Sequence, residues 1–166
     1  FVINCGDMVA TWPAKPQFET AAREALRIDS ALEAPLYDVA GNHDVGNKRS
    51  AHGTLDEQAI SDSTRAAYRS LIGADYYSFD VQDCHFIVLN NQMFGSGLPA
   101  EAEQWDWLVQ DLQASKQRRQ FVFMHLPLFW VDRDDPGGRN YEVLDEPARS
   151  RLLELLEAQQ VDIVFT

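Results

Sequence analysis

The sequence predicts an α/β domain, because short apolar runs rich in β-branched residues alternate with longer segments of helical spacing. Two of these runs are separated only by a short polar pair, which is typical of an antiparallel hairpin. Helical segments separate most of the other runs, which favours parallel pairing. The 166 residues and the hydrophobic content of 45% fit one globular domain with a sizeable core. We therefore expect a single domain over residues 1–166.

The predicted strands are short runs of apolar, β-branched or aromatic residues. They occupy residues 1–5, 36–40, 76–82, 85–91, 121–124 and 161–165. The hairpin joins the third and fourth of them, with its turn at Asp83 and Cys84. Gly41 and Asn42 end the second strand.

The predicted helices show apolar residues at helical spacing next to start and stop signals. They occupy residues 17–33, 62–72, 99–114 and 147–159. Asp62 or Ser63 caps the second helix, and Pro99 opens the third. The polar stretches 45–61 and 130–145 are predicted to be loops.

The charge balance limits the classes of partner. With 14 basic and 26 acidic residues, the formal net charge is −12. This disfavours nonspecific nucleic-acid binding, which depends on Lys and Arg to neutralise phosphates. It permits a small phosphate substrate, because metal ions can supply positive charge locally. No apolar run approaches the roughly 20 residues that span a bilayer, so we expect no membrane partner.

Cys5 and Cys84 lie in separate apolar stretches and form no CxxC pair. Two reduced thiols in a cytoplasmic protein are the expected state, although a single disulfide between them stays open at this point.

Polar residues able to bind metal follow three of the predicted strands. Asp7 follows the first strand, Asn42, His43 and Asp44 follow the second, and His125 follows the fifth. The carboxyl ends of strands in an open α/β sheet converge on one edge, so these side chains are expected to face one pocket. Carboxylate, amide and imidazole ligands suit Mn, Fe or Zn ions. Alone, a Gly-Asp or a His-x-Pro after a strand is usually a turn; together and in order, the three segments favour a site.

These segments resemble the calcineurin-like metallophosphoesterases. The similarity lies in Gly6-Asp7, Gly41-Asn42-His43-Asp44 and His125-Leu126-Pro127, which span nearly the whole chain. Within that family, the chain resembles proteins described as calcineurin-like phosphoesterase domain-containing serine/threonine protein phosphatases. The resemblance implies a four-layer α/β/β/α sandwich that is incomplete at both ends in this chain.

The resemblance also implies a chemistry. A hydroxide bound to two divalent or mixed-valence ions (Mn, Fe or Zn type) would attack a phosphomonoester, with phosphoserine and phosphothreonine as candidate substrates. Asp7 would bridge both ions, and Asn42 and His125 would bind the second. His43 would act as general acid or stabilise the transition state, with Asp44 orienting its ring.

Two departures from the family pattern stand out. An Asp-x-His segment and a Gly-His-x-His segment are absent from the chain, and we expect them to lie before Phe1 and after Thr166. Purple acid phosphatases carry a metal-binding tyrosine three positions after the bridging aspartate. Here that position is Ala10, which disfavours a tyrosinate-bound iron.

The remaining polar residues point less strongly to a role. His52 is predicted to be a solvated loop residue and His85 a structural one, whereas Asn90 and Asn91 either form a turn or line the pocket. The acidic loop from Asp132 to Asp135 is expected to be solvated, with a place at the pocket rim as the alternative.

Three functions stay open from the sequence. The first is the phosphomonoesterase. The second is a phosphodiesterase of the same fold that acts on nucleotides or lipids, because substrate choice depends on loops. The third is a non-catalytic binding module that has lost its metals.

Overall fold

The computed structural model describes residues 1–49, 56–134 and 142–166, and these contain six strands and five α-helices. The strands are β1 (Val2–Asn4), β2 (Leu36–Asp38), β3 (Tyr77–Val81), β4 (Cys84–Val88), β5 (Arg119–Phe123) and β6 (Ile163–Phe165). The helices are α1 (Phe18–Asp29), α2 (Asn42–Val45), α3 (Asp62–Leu71), α4 (Pro99–Ala114) and α5 (Ala148–Ala158). Short 3-10 turns lie at Asp56–Gln58 and Asn91–Met93.

The strands form two sheets. β1 and β2 pair in parallel, and the second sheet has the order β3-β4-β5-β6. In that sheet β3 and β4 form an antiparallel hairpin, whereas β4-β5 and β5-β6 are parallel. Mostly parallel pairing with one hairpin is therefore confirmed. The hairpin turn lies at residues 82–83, because Cys84 already belongs to β4.

Aromatic side chains fill the space between the two sheets. Alternation along the strands places Phe79, Phe86 and Phe121 on one face of the larger sheet. Tyr37 of β2 stacks on Phe79, with ring centroids 3.6 Å apart and planes within 2°. The smaller sheet therefore packs directly over the larger one.

Helices cover the outer sides of both sheets. Ile87 and Val122 lie on the opposite face of the larger sheet and pack with Leu108 of α4 and Leu152 of α5. On the other side, α1 and α3 pack together beside the smaller sheet through Phe18, Ala22, Ala67 and Leu71. The order of layers is helix, sheet, sheet, helix, as the family resemblance implied. Among the helices of the described residues, none has the length and apolar character that crossing a bilayer requires.

Local differences from the sequence prediction have physical causes. The helix α2 was not predicted, because four residues are too few to show a helical period. Ser61, rather than Asp62 or Ser63, caps α3, since its side-chain oxygen accepts a hydrogen bond from the backbone N–H of Thr64 at 3.2 Å.

His85 has the structural role that the sequence predicted. Its Nδ1 lies 2.7 Å from Oδ1 of Asp80, and its Nε2 lies 2.8 Å from Oδ2 of Asp111. Asp80 belongs to β3 and Asp111 to α4, so the buried ring joins the hairpin to the helix layer. The two cysteines are free thiols, as expected.

Stability at acidic pH should depend on Asp80. The hydrogen bond with His85 holds the pKa of Asp80 below its usual value, and the charge of Arg118 lowers it further. A carboxyl group with a lowered folded-state pKa stabilises the fold above its unfolded pKa, and that contribution disappears as pH falls through the folded value. We expect Asp80→Asn to be less stable than the wild type near neutral pH and to lose less stability on acidification. Urea unfolding across the acidic range measures both effects.

The matched control is Asp83→Asn, which changes an exposed carboxylate in the adjacent hairpin turn. It should follow the wild-type pH dependence. An Asp80→Asn variant with the wild-type loss of stability on acidification would contradict the assignment.

The helix layer on the larger sheet should depend on Leu108, which is fully buried. Leu108→Ala leaves a cavity and is expected to lower the free energy of unfolding by about 2–5 kcal/mol. The exposed Gln110→Ala on the same helix should change it by less than about 0.5 kcal/mol. Equal effects of the two substitutions in urea unfolding would show that α4 does not pack as described.

Candidate metal centre

The turns after β1 and β2 lie against each other at the same end of the smaller sheet. Gly6 and Asp7 follow β1 with φ of 102° and 57°, conformations that reverse the chain sharply. A Cβ at Gly6 would lie 2.6 Å from Nδ1 of His125 and 2.9 Å from Cα of Gly41. At Gly41, a Cβ would collide with the backbone nitrogen and carboxylate of Asp7. The close approach of these turns therefore requires glycine at both positions.

The buried carboxylate of Asp44 holds the two turns together. Its Oδ2 accepts hydrogen bonds from the backbone N–H of Asp7 at 2.8 Å and of Gly41 at 2.9 Å. Burial raises the pKa of Asp44 to about 6, and the two backbone hydrogen bonds oppose that shift. Asp44 is thus a bracing residue between the ends of β1 and β2.

Asp7 connects the first turn to α2 and to His125. Its Oδ1 accepts a hydrogen bond from the backbone N–H of His43 at 2.9 Å. Its Oδ2 lies 3.6 Å from Nε2 of His125. One oxygen therefore anchors the chain at α2, and the other faces the imidazole.

His125 follows β5 and brings the larger sheet into the site. Its Nδ1 lies 2.8 Å from the carbonyl oxygen of Cys5. A carbonyl oxygen only accepts, so Nδ1 carries the proton in this bond. In the neutral ring, Nε2 then has a free lone pair, which faces Oδ1 of Asn42 at 2.9 Å.

These atoms form a suitable environment for a cation. An imidazole lone pair, an amide oxygen and a carboxylate oxygen converge from His125, Asn42 and Asp7. Acceptors that face one another repel unless a proton or a metal ion lies between them. Mixed nitrogen and oxygen ligands suit Mn, Fe or Zn, and the Cys5 carbonyl supplies the partner that fixes the tautomer of a ligating histidine. The three side chains therefore fit a metal ion.

Only two side chains of this triad (Asp7, Asn42 and His125) are of the types most common in metal sites. Within the described residues, no group of three or more His, Cys, Asp or Glu side chains is placed to hold a metal. The third side chain is the amide of Asn42, a buried residue. The described residues could therefore fill only part of a coordination shell.

His43 lies beside the triad without the partner predicted for it. Its Nδ1 is buried and has no hydrogen-bond partner among the residues that the structure describes. Asp44 was expected to orient the ring, but that prediction is wrong in its detail. At the third position of α2, the Asp44 carboxylate folds back onto the backbone of Gly41, the first of its two partners. The imidazole of His43 instead stacks on Trp12, with ring centroids 4.3 Å apart and planes at 25°.

A buried amide turn after β4 holds the segments that follow the proposed ligands. Asn91 donates to the carbonyl of Leu126 at 2.7 Å and accepts from its N–H at 3.1 Å. The neighbouring Gln92 accepts from the backbone N–H of Lys48 at 2.9 Å. Asn90 and Asn91 are fully buried and hydrogen-bonded to neighbouring protein groups. The turn-forming alternative therefore holds for both.

Sequence reasoning missed Gln92 and Lys48. Lys48 is 1% exposed, and its ammonium group pairs with Asp145 at 2.9 Å and donates to the carbonyl of Val143. Burial lowers the pKa of this lysine. A polar Asn-Asn-Gln run directly after a buried strand was the available signal for the amide turn. A lysine in a polar loop gave no comparable signal.

Two other candidates are not tested by these contacts. His52 and Asp135 lie outside the described residues. Asp132 is exposed, and its carboxylate accepts a hydrogen bond from the backbone N–H of Asp134 at 3.0 Å, as in a solvated loop.

Comparison with known proteins shows which family the chain resembles. The family described as calcineurin-like phosphoesterase matches residues 1–166. The chain is 34% identical to the mouse (Mus musculus) serine/threonine-protein phosphatase CPPED1, covering 100% of this chain and 52% of the relative. For the human (Homo sapiens) protein of that name the identity is 33%, with the same coverage. A shorter match, 35% identical, covers 54% of this chain and 19% of purple acid phosphatase 21 from Arabidopsis thaliana.

The chain spans about half the length of the CPPED1 relatives that it matches. The family match extends over every residue, including the three strand ends that form the site. The chain belongs to the calcineurin-like phosphoesterase family.

Proposed function

We propose that the whole protein is a metal-dependent phosphoesterase that hydrolyses phosphomonoesters. The observation that carries this proposal is the convergence of His125 Nε2, Asn42 Oδ1 and Asp7 Oδ2 from two sheets. The names of the CPPED1 relatives support phosphoserine and phosphothreonine in proteins as the substrates.

Asp7, Asn42 and His125 would hold metal. The ions, when bound, would supply the nucleophile and neutralise the charge that develops on the phosphate. The protein holds the ligands rigidly, because Asp44 ties the backbone of Asp7 to Gly41 and Cys5 fixes the tautomer of His125. Asp7 and His125 are therefore oriented before substrate arrives.

His43 would give a proton to the leaving alkoxide. An imidazole can both donate and accept a proton, which suits this role. Since Nδ1 is buried, Nε2 is the nitrogen left to meet the substrate. The hydrogen bond from its backbone N–H to Asp7 keeps the histidine next to the metal ligands.

We also propose a cytoplasmic location, supported by the two free thiols. With a net charge of −12, the protein is suited to substrates held through metal ions rather than through a basic surface.

Removal of metal should abolish the activity. After dialysis of the whole protein against EDTA, hydrolysis of a phosphoserine peptide is expected to fall at least about 100-fold and to return with Mn²⁺, Fe²⁺ or Zn²⁺.

Asp7→Asn should weaken metal binding by at least about tenfold in titration calorimetry, because the ligand loses its charge. Asp106→Asn, an exposed change on α4, is the matched control and should bind metal normally. Full activity in the metal-free protein would refute the proposal.

His43→Ala should separate chemistry from metal binding. We expect the variant to keep its bound metal and to lose about 10²–10⁴-fold in kcat on an alkyl phosphate, because no group protonates the leaving oxygen. Metal content and kcat measured on one preparation test this. An unchanged kcat would remove His43 from the reaction.

A further inference from the structure

The indole of Trp12 lies over the imidazole of His43. Trp12 belongs to the segment between β1 and α1, and its ring centroid lies 4.3 Å from that of His43, with the planes at 25°. This is a stacked arrangement, in which the two faces share a broad contact. The tryptophan is only partly buried, so its position at the site is not explained by core packing alone.

Among the described residues, no hydrogen bond orients the His43 ring. Nδ1 has no partner, and Oδ2 of Asp44 is engaged by the backbone of Asp7 and Gly41. The backbone N–H of His43 is fixed by Asp7, but the side chain can still rotate about its own bonds. The stack on Trp12 restricts this rotation.

We infer that Trp12 is a positioning residue for His43, holding the ring plane so that Nε2 faces the leaving oxygen of the phosphoester. This inference rests on the proposed function. Stacking is suited to the task, because it fixes the plane of the ring without occupying either nitrogen. A hydrogen bond to Nδ1, the usual alternative, is not made within the described part of the chain.

The positioning role has a chemical signature that a general loss of stability lacks. An alkoxide such as the serine side chain is a poor leaving group and needs a proton, whereas 4-nitrophenolate is stable enough to leave without one. Loss of the correct ring plane should therefore slow hydrolysis of alkyl phosphates more than that of 4-nitrophenyl phosphate. An error of about 1 Å in the position of a catalytic group can cost about 100-fold in rate.

The test compares Trp12→Ala, Trp12→Leu and Trp12→Phe in the metal-loaded whole protein. With a phosphoserine peptide, the Ala and Leu variants should lose about 10–100-fold in kcat. With 4-nitrophenyl phosphate they should stay within about threefold of the wild type, and KM and metal content should change little. Trp12→Phe keeps an aromatic face and should recover most of the lost rate. The Leu variant keeps an apolar side chain, so the role of Trp12 can still be tested if the Ala variant does not fold.

Two controls test whether Trp12 acts through the His43 ring. Trp107→Leu removes another partly buried tryptophan, which lies on α4 and packs against Tyr76, and it should keep the wild-type substrate preference. In a His43→Ala background, Trp12→Leu should have no further effect on the ratio of the two rates, because the positioned group is gone.

Equal losses on both substrates, or a Leu variant with wild-type rates on both, would overturn the role of Trp12. A further change in the ratio of the two rates when Trp12→Leu is added to His43→Ala would also overturn it. A wild-type protein that is inactive with metal on every phosphoester would instead refute the proposed function, so the two failures are distinguishable.

Discussion

The carbonyl oxygen of Cys5 accepts a hydrogen bond from Nδ1 of His125, and the arrangement of the site depends on this contact. Cys5 follows β1 in the smaller sheet and His125 follows β5 in the larger one, so the bond joins the two sheets at the site. It also assigns the ring proton to Nδ1, which leaves the lone pair of Nε2 facing Asn42. The approach is possible because Gly6 has no side chain to separate the strand ends.

Polar groups inside the fold keep this contact between the two sheets rigid. A buried polar group destabilises a protein unless it is hydrogen-bonded, and here the bonds lead from one ligand-bearing segment to another. Asp44 connects the turns after β1 and β2, while Asn91 and Gln92 hold the backbone just beyond His125 and beyond α2. Secondary structure brings the ligands near one another, and this buried frame sets their final separations.

Sequence reasoning predicted the elements well and the contacts less well. Apolar periodicity located every strand and the four longer helices, because each buries a regular set of side chains. Strand-end logic located Asp7 and Asn42 together, since β1 and β2 are parallel and end at one edge of the smaller sheet, whereas His125 follows β5 of the larger sheet. Side-chain pairing at the strand ends could not be predicted in the same way. Asp44 was assigned to the wrong partner, and the stack of Trp12 on His43 joins residues 31 positions apart with no periodic signal. The ion pair of Lys48 with Asp145 crosses a still longer stretch of chain.

The proposed site specifies which protein atoms would bind the metal. The most direct measurement is the anomalous difference density of Mn²⁺ or Zn²⁺ in crystals of the metal-loaded whole protein. We predict an ion about 2.0–2.2 Å from Nε2 of His125, bound also by Oδ1 of Asn42 and by the carboxylate of Asp7. Coordination through Nδ1 of His125, or a fully loaded protein whose ions lie away from these three side chains, would contradict this assignment.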